Sequence, residues 1–129
     1  MGRIATLFTF RGRLNRAAFW RIKIFVALLN LVGHLLVLPM LARPPHGLAL
    51  HQQVQAMGAG PILILLVLAI VVCWIAFSAG VRRWHDRDKS GWWILILFIP
   101  VVGFVWYAIE CGFLPGTTGA NRYGPDPLG

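Results

Sequence analysis

Three long apolar runs separated by short knots of charge organise this sequence. Pro61 to Val81, PILILLVLAIVVCWIAFSAGV, contains no charged residue. At about 1.5 Å per residue, a helix of that length spans roughly 30 Å, the thickness of a bilayer's hydrocarbon core. Trp92 to Ile109, WWILILFIPVVGFVWYAI, is also uncharged and extends past Glu110 to Leu114. Ile24 to Ala42 is uncharged but carries Asn30, Gly33, His34 and Pro39. Backbone that crosses lipid must satisfy its own hydrogen bonds, so runs of this length predict helices over 22–42, 61–81 and 92–114. The ten-residue alternation of a lipid-facing barrel strand is absent. The expected fold is an all-α integral membrane protein with three transmembrane helices. A single membrane domain, 1–129, would carry a basic cytoplasmic arm over 1–21, a cytoplasmic loop over 82–91 and a tail over 115–129.

Two runs carry an alternative. Ile99 to Gly103, IPVVG, places Pro100 and Gly103 in the middle of the third run, where proline removes a helical hydrogen bond and kinks the rod. A re-entrant hairpin there would return the tail to the side from which the run began. The first run follows a basic start, as a signal peptide does. Its length and the lack of a small-x-small site before Arg43 favour a retained signal anchor. In the first connection, Pro44, Pro45 and Gly47 predict a turn, and Leu48 to Met57 a short surface helix.

Charge then assigns the sides. Arg3, Arg11, Arg13, Arg16, Arg21 and Lys23 precede the first span, and only Arg43 follows it. Arg82, Arg83, Arg87 and Lys89 follow the second, and only Arg122 follows the third. This alternation predicts a cytoplasmic N-terminus and loop and an external tail. The chain is 58% hydrophobic and 12% charged, where a soluble domain carries about 25% charged residues. Its net charge of +8 sits at the ends of apolar runs, which suits anionic lipid headgroups and not nucleic acid. Cys73 and Cys111 lie inside apolar runs and read as small buried hydrophobes, with no disulfide framework.

The densest knot is VRRWHDRDKSGWW, Val81 to Trp93. Asp86 to Gly91 imitates the opening of a calcium loop, but the twelfth position is Leu97 where a bidentate Glu is needed. His85 beside Asp86 lacks a second ligand or a nucleophile. No catalytic residue, metal ligand or cofactor is therefore assigned. A structural reading uses every residue: Asp86 lies one helical turn from Arg82 and Arg83, and Ser90 is placed to cap the third helix. Upstream, Gly12 marks a turn and Asn15 is an N-cap for a helix through RAAFWRIKIF. The arm would dock on Asp86 and form a polar cap; alternatively its cations only anchor in headgroups, each worth about 1 kcal/mol. The residues expected in the cap, or against lipid phosphates, are Arg13, Arg16, Arg82, Arg83, His85, Asp86 and Lys89. Within the spans, Asn30 and His34 share a helix face and, with Glu110, are expected to make interhelical polar contacts. A proton or solute path is the alternative use of those three. In the tail, Asn121, Arg122, Tyr123 and Asp126 would either bind a partner or cover the end of the bundle.

FRGRLNRAAFW (Phe10 to Trp20), VRRWHDRDKSGWW and PGTTGANRYGPDP (Pro115 to Pro127) occur in that order between apolar runs. The pattern strongly resembles the small bacterial inner-membrane proteins grouped as domain of unknown function 805, over roughly Phe8 to Pro127. The resemblance implies a multi-pass protein of the bacterial cytoplasmic membrane and no reaction, because that family's activity is unassigned. Trp84 stands where the family usually has Leu, Asp88 where Gly is common, and Ala18 at a position often polar. Asp88 matters because Gly adopts a left-handed turn more freely. The expected function is that of a non-enzymatic accessory or interaction protein with a surface facing anionic lipid. The alternatives are an oligomeric small-solute or ion transporter and then a lipid-headgroup enzyme. Expected partners are the bilayer, anionic lipids and a second copy or another membrane protein.

Overall fold

The computed structural model describes residues 5–41, 49, 51, 52, 55 and 58–129. The turn at Pro44 and the helix expected over Leu48 to Met57 lie largely outside them. The described elements are a single 3-10 turn, Ala5–Leu7, then α1 (Arg16–Leu41) and α2 (Gly60–Asp86). A 3-10 helix, Gly91–Phe98, follows, and then α3 (Val102–Tyr107), which continues as one π-helical stretch, Ala108–Phe113. Among the described residues there is no strand, only an isolated bridge between Asn121 and Gly124. The chain forms two compact units, one of residues up to Phe25 with Trp74–Gly129, the other Val26–Cys73.

Local chemistry starts and stops these helices where the side chains require. The Asn15 side chain accepts from the Ala18 amide at 2.8 Å, so α1 begins at Arg16 with one of its orphan donors satisfied. At the far end of α2, the Lys89 amide donates to the Trp84 carbonyl and the Asp88 amide to the His85 carbonyl, each at 3.0 Å. This is a Schellman ending, and its left-handed position falls on Asp88, at φ 56°. The loop expected over 82–91 is therefore shorter: residues 82–86 belong to α2, whose helical hydrogen bonding outlasts its apolar stretch. Ser90 then caps the next helix, accepting from the Trp92 amide.

α1 and α2, of 26 and 27 residues, are long enough to cross a bilayer. They are not the core helices of a soluble protein. Only 11% of the most apolar stretch of α1 and 22% of that of α2 is buried. Leu28, Leu35 and Leu36 on α1, and Ile62, Leu63 and Ile70 on α2, are all more than half exposed. Leaving each in water would forgo about 1.5–3 kcal/mol, so acyl chains are the solvent for these faces. Within the smaller unit, a Cβ on Gly33 would stand 2.0 Å from Cδ2 of Leu68, so the two helices approach closely there.

The third apolar run is not one rod. Pro100 and a γ-turn at Val101 break it: Val101 has φ 61° and ψ −65°, and the Val102 amide donates to the Pro100 carbonyl at 2.7 Å. The two arms then fold back on each other. A Cβ on Gly103 would lie 1.8 Å from the Ile96 carbonyl oxygen, a closeness only glycine permits. An eight-residue 3-10 helix rises about 16 Å, well short of the roughly 30 Å hydrocarbon core. The run's beginning and end come together: Arg87 and Lys89 bind Glu110, and Arg83 binds the carbonyls of Cys111 and Leu114. The tail after Leu114 packs on the same end of α2 as the 87–90 connection, through Thr117 and Asn121. Inside the larger unit, Phe19, Ala79, Trp84, Ile94, Tyr107 and Cys111 form the apolar core beneath that end.

A β-branched residue at positive φ is strained by about 1–3 kcal/mol. Val101→Gly is therefore expected to raise the melting temperature of the purified protein in detergent. Gly103→Ala drives a methyl group into backbone and is expected to lower stability by about 1–3 kcal/mol in the same assay. Equal melting of both variants and the parent would show that the hairpin does not exist.

Candidate functional site

The end of α2 carries a buried ionic cap assembled from four segments. Its centre is Asp86, whose side chain is 3% exposed. Arg13 of the N-terminal arm donates from Nε to Asp86 Oδ1 at 3.0 Å, and Arg83 of α2 pairs with Oδ2. Those arginine side chains are 1% and 0% exposed. One carboxylate does not use ten donor hydrogens, so carbonyl oxygens take the remainder. Arg13 donates further to the carbonyls of Thr117 and Gly119 in the tail. Arg83 donates to Cys111 at 2.8 Å and to Leu114, the final carbonyls of the third run. The Asp86 carbonyl accepts from the Thr117 amide and hydroxyl at 2.8 and 3.0 Å. Gly116 lets the tail backbone pass so close that a Cβ there would sit 2.1 Å from Asp86 Oδ2.

Around this centre the cap closes in the same way. Arg16 Nη1 donates to the Phe113 carbonyl and Trp20 Nε1 to that of Gly112, each at 2.9 Å. Cationic and N–H donors at the carbonyl end of a helix satisfy groups that the helix itself leaves open. Glu110 receives Lys89 at 2.8 Å and Arg87. Asn121 donates to the His85 carbonyl at 2.9 Å, and Tyr123 lies face to face on the His85 ring at 3.9 Å. Arg122 pairs with Asp88 at 3.2 Å. Asp126 accepts the amides of Gly119 and Leu128 at 2.9 Å.

Of the seven residues expected in the cap, Arg13, Arg83 and Asp86 form its centre, with Arg16, His85 and Lys89 around them. Arg82 does not join Asp86. It is 6% exposed. Its Nε donates weakly to the Ser78 carbonyl at 3.4 Å, and its Nη2 has no hydrogen-bond partner. Burial of Arg13, Arg82 and Arg83 removes them from the reach of lipid phosphates. Asn30 and His34 differ from expectation too: His34 Nδ1 bonds the Asn30 carbonyl of its own helix at 2.8 Å. Among the described residues, no hydrogen bond links either side chain to α2. Glu110 is held by Arg87 and Lys89, a pairing that becomes visible only once the third run turns back. The Thr117 and Gly116 cradle of Asp86 escaped sequence reasoning altogether, because nothing local to the tail shows that it returns to α2.

Burial lowers the pKa of the Arg83 guanidinium from its ordinary value, and Asp86 opposes that shift. Burial also lowers the His85 pKa, against a hydrogen bond to the Gly12 carbonyl and with help from nearby Arg122. The folded chain thus binds a proton at His85 less readily than the unfolded chain does. Its contribution to stability is complete above about pH 6.5, the ordinary histidine value, and declines as pH falls below it.

Removing one partner of a buried ion pair strands the other charge, at about 3–5 kcal/mol. Asp86→Asn is expected to lose about that much in detergent melts, and an unchanged melt would mean that the cap does not hold the fold. Melting between pH 7.5 and 5.5 should fall more steeply in the parent than in His85→Gln. Parallel curves would remove His85 from the acid response.

The profile of the family described as "Protein of unknown function (DUF805)" matches residues 7–125. Inner membrane protein YhaH of Escherichia coli (strain K12) is 35% identical over 118 residues, covering 92% of this chain and 86% of that protein. Inner membrane protein YhaI of the same strain is 32% identical over 119 residues, covering 92% and 85%. YiiR of that strain, an uncharacterised protein, is 27% identical over 146 residues, covering 93% and 86%. No solved structure matches the chain. The cap joins the three segments in which the sequence motifs lie, and the match runs through all of them: this chain is an all-helical integral membrane protein of the DUF805 family.

Proposed function

We propose that this protein is a non-enzymatic accessory protein of the bacterial inner membrane. Its basic end lies in the cytoplasmic headgroup layer and faces anionic lipid. One observation carries this reading: each acid is engaged by a partner in the same chain, while two arginines stay exposed without an ion pair. Asp86, Asp88 and Glu110 pair with arginine or lysine, and Asp126 accepts backbone amides. Arg11 and Arg21 stay exposed, and among the described residues neither forms an ion pair. The surplus of the +8 charge is thereby directed outward, where each cation gains about 1 kcal/mol from an anionic leaflet. Support for an accessory role comes from the cap itself, whose ionisable groups are engaged in holding segments together. In this reading the tail shares the cytoplasmic side with the 87–90 connection, since both belong to one cap.

In bilayer discs, phosphatidylglycerol is expected to raise the melting temperature above that in phosphatidylcholine. Combining Arg11→Gln with Arg21→Gln should remove about 1–2 kcal/mol of that gain, and 1 M salt should do the same. Reporters fused to the arm and to the tail should both read cytoplasmic. Equal melting in the two lipids, or a tail outside the cell, would overturn the reading. Movement of protons or a solute by purified protein in vesicles, abolished in His34→Leu, would replace it with the transporter.

A further inference from the structure

Beside the cap, α2 and the first arm of the third run leave an open groove of about 510 Å³. That volume lies within the range of small-molecule sites. Phe77, Val81 and His85 line it at successive turns of α2, so it follows the helix axis for about 12 Å. Ile94 and Leu95 complete its apolar wall, and Ser90 and Tyr123 join His85 at the cap end. No acidic side chain lines it among the described residues.

The cap end has unused hydrogen-bonding capacity. The Ser90 oxygen accepts from the Trp92 amide, which leaves its hydroxyl proton free. Among the described residues nothing accepts from the Tyr123 hydroxyl. Tyr123 is held in place by its stack on His85 and by Arg122, whose guanidinium carbon is 5.0 Å from the ring centre. Arg122 is neutralised by Asp88.

The occupant follows from where the groove opens. Phe77, Trp92 and Leu95 are 46%, 77% and 45% exposed, and they continue the apolar surface that faces acyl chains. Water has no favourable place in the apolar half, and the material at hand in that layer is lipid. We propose that the groove binds one glycerophospholipid through its phosphate and one acyl chain. An acyl chain lies along Phe77, Val81, Ile94 and Leu95, and the phosphate accepts from the Ser90 and Tyr123 hydroxyls. This site rests on the lipid-facing reading above and gives it a stoichiometry: one retained lipid per chain, distinct from the bulk leaflet.

The test uses full-length protein, delipidated in detergent and mixed with dioleoyl phosphatidylglycerol, with bound lipid counted by native mass spectrometry. One lipid per chain should persist at concentrations where further lipids are lost. Leu95→Trp fills the groove and should reduce retention at least tenfold, while Leu35→Trp, on an exposed face of α1, should leave it unchanged. Ser90→Ala combined with Tyr123→Phe adds no volume and should reduce retention at least threefold, which covers the case that Leu95→Trp melts early. Millimolar inorganic phosphate should not displace the lipid. The site is overturned if no one-lipid species persists, if phosphate displaces it, or if the two tryptophan variants lose lipid equally. Should phosphatidylglycerol stabilise the parent and Leu95→Trp alike while retention is unaltered, the general lipid-facing reading stands and the groove alone falls.

Discussion

A carboxylate removed from water between two guanidinium groups is the constraint on which the larger unit depends. Asp86 and its partners Arg13 and Arg83 are almost wholly enclosed. Taking three charges out of water is costly, and their mutual attraction offsets the cost only when every remaining donor finds an acceptor. Those acceptors lie in the tail and at the end of the third run, which therefore have to be brought to α2. The arm, the tail and the end of the hairpin are held by one electrostatic requirement.

The same requirement accounts for the geometry of the third run. A helix ending in lipid would leave up to four carbonyls without partners. Here the carbonyls of Cys111 to Leu114 end against Arg16, Trp20 and Arg83, so the run terminates where donors are available. Pro100 removes a helical amide at the opposite end, and Val101 accepts an unfavourable φ to reverse the chain. Strain at the tip is tolerated because the base is over-determined.

Such a cap also limits what the protein's charges are free to do. Sequence alone offers Arg13, Arg83 and His85 as candidates for phosphate binding or acid–base work. In the fold, two of these are closed off and the third is stacked under Tyr123. Among the described residues, groups at the margins remain available: exposed Arg11 and Arg21, and the hydroxyls of Ser90 and Tyr123 beside an apolar groove.

Much of the fold was legible in residue order because its signals are local. Length and uninterrupted apolarity mark α1 and α2; Asn15 and Ser90 announce the helix starts; the spacing of Arg83 and Asp86 follows from one helical turn. Asp88 sits in the left-handed position that its place among glycines in the resembling family suggested. What the sequence could not decide was whether Pro100 and Gly103 bend a spanning helix or reverse it. Both outcomes satisfy the same hydropathy, and only the approach of Gly103 to the Ile96 carbonyl distinguishes them. That reversal in turn decides which cations meet Glu110, and it brings the final carbonyls of the run to Arg83. The partners of Asp86 likewise include Thr117 amide and hydroxyl groups thirty-one residues away. Hydropathy is a property of each stretch by itself and is written in the sequence. Pairing between distant charges depends on distances that exist only after the chain has closed.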